Sequence, residues 1–217
     1  MEVVSFLIDL FLHLDEHLAS VITQYGAWTY GILFAVIFVE TGLVIMPILP
    51  GDSLLFAAGT FAALPDGLNI WYLLILLMAA AILGDTVNYS IGHYLGERAY
   101  KIKWIRKEYF DKTHAFFEKH GGKAIFLARF VPIVRTFAPF VAGIGKMTYG
   151  YFITYNFGGG IIWVALFTFA GYFFGNIPFM RDNFEYVIIV IILVSILPMV
   201  YEWLKSRRET KAEKDPA

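Results

Sequence analysis

Four charged side chains lie inside stretches of sequence that are otherwise apolar: Glu40, Asp52, Arg129 and Arg135. An ionised side chain at the depth of a bilayer costs about 2.5–3.5 kcal/mol on insertion scales, so each of these residues needs a partner or water. The two arginines flank Pro132, and guanidinium groups bind phosphate through paired, planar hydrogen bonds. We therefore interpret Arg129 and Arg135 as candidate ligands of a phosphate group.

Polar residues beside the prolines provide candidate helix caps close to these charges. Asp52 or Ser53 can cap a half-helix that starts inside the membrane. Thr136 can cap its counterpart, with Pro139 tolerated in the first turn. Both half-helices would then point their positive ends at one central region, where an anion is favoured. Ser53 and Thr136 are therefore included in the predicted phosphate site.

The acids Glu40 and Asp52 allow two interpretations. As proton carriers, they would couple transport to a proton gradient. Alternatively, they pair with Arg129 or Arg135 and simply tie two segments together, although two apolar residues would do so at a lower desolvation cost. Both interpretations stay open, and we use the first as the working hypothesis.

A second polar group is predicted on the apolar segment 70–95. Asp85 and Asn88 are three residues apart, so they share one face of a helix, and we assign them a supporting role through interhelical hydrogen bonds. Close helix packing is predicted at three glycine motifs: Gly92/Gly96, Gly171/Gly175 and the run 158–160.

Catalytic and metal-binding motifs are weak. The chain has no cysteine, which excludes thiolate catalysis and cysteine metal sites. A His-x-x-Glu-His zinc pattern, His13 to His17, lies near the N-terminus and has no evident third ligand. The nucleophile–base pair of a lipid hydrolase is also missing. We expect no enzymatic activity, no metal and no cofactor.

The composition is typical of a membrane protein. Apolar residues make up 59% of the chain and charged residues 16%, against about 45–50% and about 25% in soluble domains. Segments 70–83 and 186–201 contain no charged residue. Runs of this kind favour a bilayer as the solvent.

The basic residues are segregated along the chain. Residues 1–96 contain no Lys or Arg, whereas 97–123 hold eight of the 17 basic residues and 205–214 hold five. By the positive-inside rule, both clusters and the C-terminus face the cytoplasm. Both clusters adjoin apolar segments, so we expect them to contact anionic headgroups and predict no nucleic-acid partner.

The number of crossings between the two basic clusters must then be even. Segments 151–175 and 186–204 supply two, so 124–145 should enter and leave on the cytoplasmic side. Segment 26–63 should dip from the outer face, because its apolar arms of 12 and 11 residues are only ~17 Å long as helices.

The predicted fold is an all-α polytopic membrane protein with two oppositely oriented re-entrant helical hairpins and about three full transmembrane helices. Residues 1–217 form a single membrane domain. Its segments are an interfacial helix (3–22), hairpin 1 (26–63), a transmembrane helix (70–95), a cytoplasmic basic loop (97–123), hairpin 2 (124–145), two transmembrane helices (151–175 and 186–204) and a cytoplasmic tail (205–217).

The two hairpins share a weak sequence similarity. The stretch from Pro47 to Gly59 aligns with that from Pro132 to Gly143, with one residue difference in length. Inverted repeats with discontinuous helices that meet at the membrane midplane are common in secondary transporters. We predict an inverted-repeat-like arrangement, with chance similarity as the alternative.

Several motifs together resemble the bacterial DedA family: Phe38-Val-Glu40-Thr-Gly, Pro50-Gly51-Asp52-Ser53, Gly84-Asp85-(x3)-Tyr89-(x2)-Gly92, Ala128-Arg129-Phe130-Val-Pro132-(x2)-Arg135-Thr136, Ala142-Gly143 and Gly171-Tyr172-(x2)-Gly175. The resemblance covers about residues 3 to 205. It implies two re-entrant hairpins, residence in the bacterial cytoplasmic membrane and dependence on the proton motive force. It also implies that Glu40 and Asp52 form the family's important acidic pair, and that Arg129 and Arg135 form its arginine pair.

The resemblance further implies a role in lipid translocation or envelope homeostasis, since family members are implicated in moving undecaprenyl phosphate or phosphatidylethanolamine. We therefore expect a transporter or flippase for a phosphate-bearing lipid, linked to the proton motive force, with membrane lipid and protons as its partners. A homo-oligomer is compatible with this expectation. A small-ion/proton antiporter and a non-transporting membrane scaffold factor are the alternatives.

Overall fold

The computed structural model of the chain describes residues 24–43, 51–64, 67–96 and 120–175, and the isolated positions 113, 114, 117, 177 and 190. Within these residues all regular structure is helical, as predicted. The helices are α1 (Trp28–Gly42), α2 (Gly51–Ala62), α3 (Ile70–Leu95), α4 (Ala124–Ala128), α5 (Pro132–Ile144) and α6 (Tyr149–Gly175), with a short 3-10 helix at Gly121–Lys123. The predicted segments 3–22, 186–204 and 205–217, and most of 97–123, lie outside the described residues.

Among the described residues, two helices, α3 and α6, are long and apolar enough to cross a membrane. They contain 26 and 27 residues, or ~40 Å of helix against ~30 Å for a hydrocarbon core. Asn69 caps the start of α3, because its side-chain oxygen accepts hydrogen bonds from the backbone N–H groups of Trp71 and Tyr72. The predicted segments 70–95 and 151–175 agree with these helices to within two residues.

The other helices are too short to cross a membrane alone. Helices α1, α2 and α5 contain 15, 12 and 13 residues, and α4 contains five. At 1.5 Å per residue, even the longest of these measures only ~22 Å. Each therefore spans at most about three quarters of a hydrocarbon core of ~30 Å.

The start of α5 corrects one sequence prediction. Thr136 was expected to cap this helix, but α5 already begins at Pro132, and Val131 is the capping residue without a side-chain hydrogen bond. Proline at the first helical position has a preset φ and needs no hydrogen-bond acceptor, and it keeps the preceding residue extended. Thr136 therefore lies in the second turn, and Pro139 lies in the helix interior.

Helices α1, α3 and α5 run parallel to one another, and we call them the odd bundle. The hydroxyl of Tyr30, near the start of α1, accepts a hydrogen bond from the backbone N–H of Asn69, and Gly42 at the end of α1 packs on Gly84. The side chain of Asn88 then bridges the end of α1 and the second turn of α5. The two short helices thus lie one after the other along α3.

Helices α2, α4 and α6 are also parallel, and we call them the even bundle. Trp163 bonds to Asp52, and the hydroxyl of Thr60 donates to the carbonyl of Gly171. Both pairs are separated by 111 residues, so α2 and α6 run in the same direction in constant register. The short helix α4 packs beside the first half of α6.

The two bundles meet along α3 and α6, which are antiparallel. Near the start of α3, the ring of Trp71 lies edge-on to Phe169, with centroids 6.4 Å apart. Further along, the amide nitrogen of Asn156 donates a 3.0 Å hydrogen bond to the carbonyl of Ile82.

A tight glycine crossing joins α2 to α6 in the even bundle. A Cβ atom on Gly59 would overlap the carbonyl of Thr168 and lie 3.0 Å from the backbone nitrogen of Tyr172. In the reverse direction, a Cβ on Gly171 would overlap the backbone of Phe56. The two backbones therefore approach as closely as only glycine permits.

The odd bundle contains a matching crossing between α5 and α3. A Cβ on Gly143 would overlap the carbonyl of Tyr89 and lie 2.6 Å from the backbone nitrogen of His93. A Cβ on Gly92 would overlap the backbone of Phe140. Each glycine thus has the same kind of neighbour as its counterpart in the even bundle.

These contacts agree with the predicted internal similarity residue by residue. Phe56 and Gly59 align with Phe140 and Gly143 in sequence, and each pair makes the corresponding contacts with a long helix. Among the described residues, the second short helix of each half packs on the long helix of the other half.

The predicted glycine motifs act in different ways. Gly92 and Gly171 lie at helix crossings, as predicted. Gly96 ends α3 with φ of +51°, and a Cβ there would meet no described residue within 4 Å. A positive φ favours glycine at a helix C-terminus.

Candidate functional site

The predicted charged residues converge where the short helices end and begin. Glu40 lies on the last turn of α1, Asp52 on the first turn of α2, and Arg135 near the start of α5. Asp85 on α3 and Arg129, directly after α4, complete the group. The short helices bring residues from distant parts of the sequence to one region between the two bundles.

Arg135 bridges both acids of the first hairpin. Its Nη1 lies 2.7 Å from Oδ1 of Asp52, and its Nη2 lies 2.7 Å from Oε1 of Glu40. The guanidinium uses two different nitrogens for two different carboxylates, with the side chain 20% exposed. The ion pairing that the sequence left open is therefore present, and it joins the odd bundle to α2 of the even bundle.

The Glu40 carboxylate also caps the start of α2. Its Oε1 accepts a 3.1 Å hydrogen bond from the backbone N–H of Gly51, as well as the bond from Arg135. A Cβ on Gly51 would lie within 3 Å of the Glu40 carboxyl group, so glycine permits this approach. Oε2 of Glu40 is buried and has no hydrogen-bond partner among the described residues.

Trp163 on α6 connects the acids and the arginines. Its indole N–H donates a 2.8 Å hydrogen bond to Oδ1 of Asp52, the same oxygen that Arg135 contacts. The guanidinium carbons of Arg135 and Arg129 lie 5.3 Å and 5.8 Å from the centre of its ring. These distances are within the range of cation–π attraction.

Arg129 pairs with the long helices instead of the first hairpin. Its Nη2 lies 2.5 Å from Oδ2 of Asp85 and 2.6 Å from the amide oxygen of Asn156. The glycine run has a specific role here, because Cβ atoms on Gly159 and Gly160 would lie 3.0–3.4 Å from the Arg129 side chain. These two glycines make room for a guanidinium, whereas simple helix packing was expected.

The remaining predicted residues lie close to the ends of the short helices. Asn88 donates from its amide to the carbonyls of Thr41 (3.1 Å) and Thr136 (3.0 Å), which agrees with a supporting interhelical role. Ser53 is buried in the first turn of α2, and its hydroxyl has no hydrogen-bond partner among the described residues. Because α2 begins at Gly51, neither Ser53 nor Asp52 precedes the helix as a cap.

Two residues of this site, Asn156 and Trp163, were not predicted from the sequence. Asn156 interrupts an apolar helix, and this polar position was the signal that could have identified it. Trp163 gave no such signal, because tryptophan is common in apolar membrane helices. Its role depends on its contact with Asp52, which lies 111 residues away.

The charges in this group do not balance. Three carboxylates face two guanidinium groups, so the fully ionised cluster has a formal charge of −1. Arginine stays protonated in proteins, so only the acids can take up a proton. One bound proton would make the cluster neutral, and a proton on Glu40 or Asp52 would also release one nitrogen of Arg135.

Comparison with known proteins identifies the family. The family model described as the VTT domain matches residues 49–173, more than half of the chain. The chain is 55% identical to Protein DedA of Escherichia coli K12 over 212 residues, which cover 96% of the chain and 97% of that protein. No solved structure matches the chain.

More distant relatives are also named as membrane proteins. The chain is 44% identical to the uncharacterized membrane protein Rv0364 of Mycobacterium tuberculosis over 77% of the chain and 75% of that protein. It is 31% identical to the inner membrane protein YqjA of E. coli K12 over 79% of each. The chain therefore belongs to the DedA family of membrane proteins and carries its VTT domain.

Proposed function

We propose that the chain is a proton-coupled transporter that moves a phosphate-bearing lipid across the bacterial cytoplasmic membrane and so supports envelope homeostasis. The observation that carries this proposal is the setting of the Glu40 carboxylate. One of its oxygens is held by Arg135 and by the backbone N–H of Gly51 at the start of α2. Guanidinium groups and helix N-termini both bind phosphate in proteins. Glu40 thus occupies the place that a substrate phosphate oxygen would take.

Substrate and carboxylate would compete for Arg135. A lipid phosphate that enters the ionised cluster meets a formal charge of −1 and an arginine already bonded to Glu40 and Asp52. Protonation of either acid removes one negative charge and releases one guanidinium nitrogen. Proton uptake and phosphate binding would therefore favour each other, which is the linkage that a proton-coupled transporter needs.

The fold supports a membrane path for such a substrate. Helix α1 runs alongside the first half of α3, and α2 runs alongside the second half of α6. In the opposite half of the membrane, α4 and α5 pair with the remaining parts of the long helices. We propose that residues 26–63 and 124–145 are re-entrant hairpins that enter from opposite faces, with the basic loop and the C-terminus cytoplasmic.

The movement that we propose is a rotation of the odd bundle against the even bundle. Glycine crossings hold each bundle together through backbone contacts, which leave little freedom within a bundle. The ion pairs of Arg135 with Asp52 and of Arg129 with Asp85 join one bundle to the other. Relative motion of two repeats around a central site is how many secondary transporters alternate access.

Reconstitution into vesicles tests the function directly. Vesicles that contain the purified chain and a labelled polyprenyl phosphate or phospholipid should translocate that lipid faster when a proton gradient is imposed. Glu40→Gln should insert normally but lose the response to the gradient. Ser90→Ala is the matched control, because within the part of the chain that the structure describes that exposed hydroxyl bonds only to the carbonyl of Thr86 on its own helix.

The alternatives give different results in the same vesicles. Proton-linked flux of small ions without lipid movement would identify an antiporter. A wild-type chain that complements envelope defects in cells, yet moves neither lipids nor ions in vesicles, would be a scaffold factor. Failure to move every phosphate-bearing lipid tested would refute the proposal.

A further inference from the structure

The two arginines of the site have different surroundings. The Arg129 side chain is 6% exposed, whereas that of Arg135 is 20% exposed. Among the described residues, Arg129 donates two hydrogen bonds; both leave from the single nitrogen Nη2, and both go to residues of the long helices. Arg135 instead uses two nitrogens to bridge two acids on short helices. Arg129 and Arg135 thus carry the same guanidinium group, but the exposure and the hydrogen bonds of that group differ.

The surroundings of Arg129 hold it in place from several sides. Asp85 on α3 supplies the counter-ion, and Asn156 on α6 supplies a second acceptor. The amide of Asn156 is fixed at both ends, since its nitrogen donates 3.0 Å to the carbonyl of Ile82 on α3. If Arg129 moved to a substrate, Asp85 would remain as a buried charge without its partner, which is costly.

The position of Arg129 also controls the position of Arg135. Arg129 directly precedes the extended segment at Val131 that separates α4 from α5, and Arg135 lies one turn into α5. An ion pair that anchors residue 129 between α3 and α6 therefore fixes the position of the first turn of α5 relative to the two long helices. It also places the Arg129 guanidinium near the ring of Trp163, which bonds to Asp52.

We propose that Asp85 and Asn156 are positioning residues that hold Arg129 between the two long helices, and that Arg135 alone contacts the lipid phosphate. This inference deepens the proposed function and rests on it for the role of Arg135. Arg129 affects substrate binding indirectly, because it fixes the geometry of the non-helical segment between α4 and α5. Asp85 is then a permanent counter-ion, in contrast to Glu40 and Asp52, which release their arginine during transport.

Lysine substitutions distinguish the two roles. Lysine offers one nitrogen with three donors, so Arg129→Lys keeps the bonds that leave from one nitrogen, whereas Arg135→Lys loses the fork. The probe is dihexanoyl phosphatidic acid, titrated into the full chain in nanodiscs. We expect its affinity to fall by less than about threefold in Arg129→Lys and by at least about tenfold in Arg135→Lys, the latter because a charge-assisted bond is lost.

A double-mutant cycle provides the second measurement. Asp85→Asn and Arg129→Gln should each lower the unfolding temperature in detergent, because each leaves one buried charge. The double variant should recover both the unfolding temperature and the affinity for the probe. Asp52→Asn with Arg135→Gln is the comparison pair. It leaves the Glu40 carboxylate without its arginine, so it should recover the unfolding temperature only in part and the affinity not at all.

The outcomes separate the two proposals. If Arg129→Lys lowers the affinity for the probe tenfold or more, and the stable Asp85/Arg129 double variant binds no probe, then Arg129 is a phosphate ligand and the inference is wrong. A double variant no more stable than its singles would refute the pairing itself. If Arg135→Lys and the Asp52/Arg135 double variant bind the probe as the wild type does, the proposed phosphate site fails. In that case, recovery in the Asp85/Arg129 cycle still supports the positioning role.

Discussion

Replacement of Gly59 or Gly143 by alanine tests whether glycine crossings hold each bundle together. A Cβ at position 143 would lie 2.6 Å from the backbone nitrogen of His93, and one at position 59 would lie 2.9 Å from the carbonyl carbon of Thr168. Both new atoms meet backbone, which cannot rotate away like the end of a side chain. The two helices at each crossing must therefore move apart.

The expected magnitude follows from two opposing effects. Overpacking a tight interface costs roughly 1–3 kcal/mol, and alanine gains about 0.8–1 kcal/mol over glycine inside a helix. Gly31→Ala on α1 is the control, because its nearest neighbour is a ring carbon of Trp28 at 4.0 Å, an ordinary contact. That control should be more stable than the wild type by the helix-propensity difference alone, about 0.8–1 kcal/mol. Each crossing variant should then be about 1–3 kcal/mol less stable than the control.

Reversible unfolding in mixed detergent micelles, followed by circular dichroism, measures these differences. Gly59→Ala and Gly143→Ala should lose similar amounts of stability, because the two crossings contain equivalent contacts. If both variants were as stable as Gly31→Ala, the packing argument would be wrong. If only one were destabilised, the equivalence of the two bundles would fail.

Two further predictions concern motion and topology. The chain has no native cysteine, so introduced cysteines can be linked selectively. The rings of Trp71 and Phe169 face each other across the two bundles, with centroids 6.4 Å apart. A cleavable thiol linker between Trp71→Cys and Phe169→Cys should therefore stop lipid translocation until the linker is cleaved. Phe56 and Phe174 form the matched pair, because both lie within the even bundle and their ring centroids are 6.5 Å apart. A linker between cysteines at these two positions should leave translocation unchanged. Equal arrest by both linkers would argue against motion between the bundles. A single cysteine at Asp66, between α2 and α3, should react with an impermeant reagent added from the outer side. One at Lys123, before α4, should react only from the cytoplasmic side. Labelling of both from the outer side would refute the proposed topology.

The helices and the charged residues were predictable from local sequence. The helices at 70–95 and 151–175 follow from their long, mainly apolar sequence, and charges in such segments are conspicuous because burial is costly. Asp85 and Asn88 were found through helical spacing on one segment. Each of these predictions depends only on residues close together in the chain.

The partners of the charges were not predictable in the same way. Arg129 pairs with Asp85, 44 residues away, because α4 packs beside α6 and the rotation of α3 about its axis turns Asp85 toward the end of α4. Nothing in a single helix fixes that rotation. The start of α5 was misplaced because Thr136 is a good capping residue in isolation, whereas Pro132 sets the helix start.

The near-symmetry of the fold explains why the charges must be asymmetric. The repeat that matches Phe56 with Phe140 also matches Asp52 with Thr136, and Gly51 with Arg135. The first part of α2 and that of α5 thus come together in the middle of the molecule, as the ion pair between Asp52 and Arg135 requires. Identical sequences in the two halves would bring like charges together at this point, and buried like charges repel strongly. A symmetric scaffold with an acid in one half and an arginine in the other instead forms an ion pair at this point, and the proton or phosphate of the proposed function would act on that pair by changing a single charge.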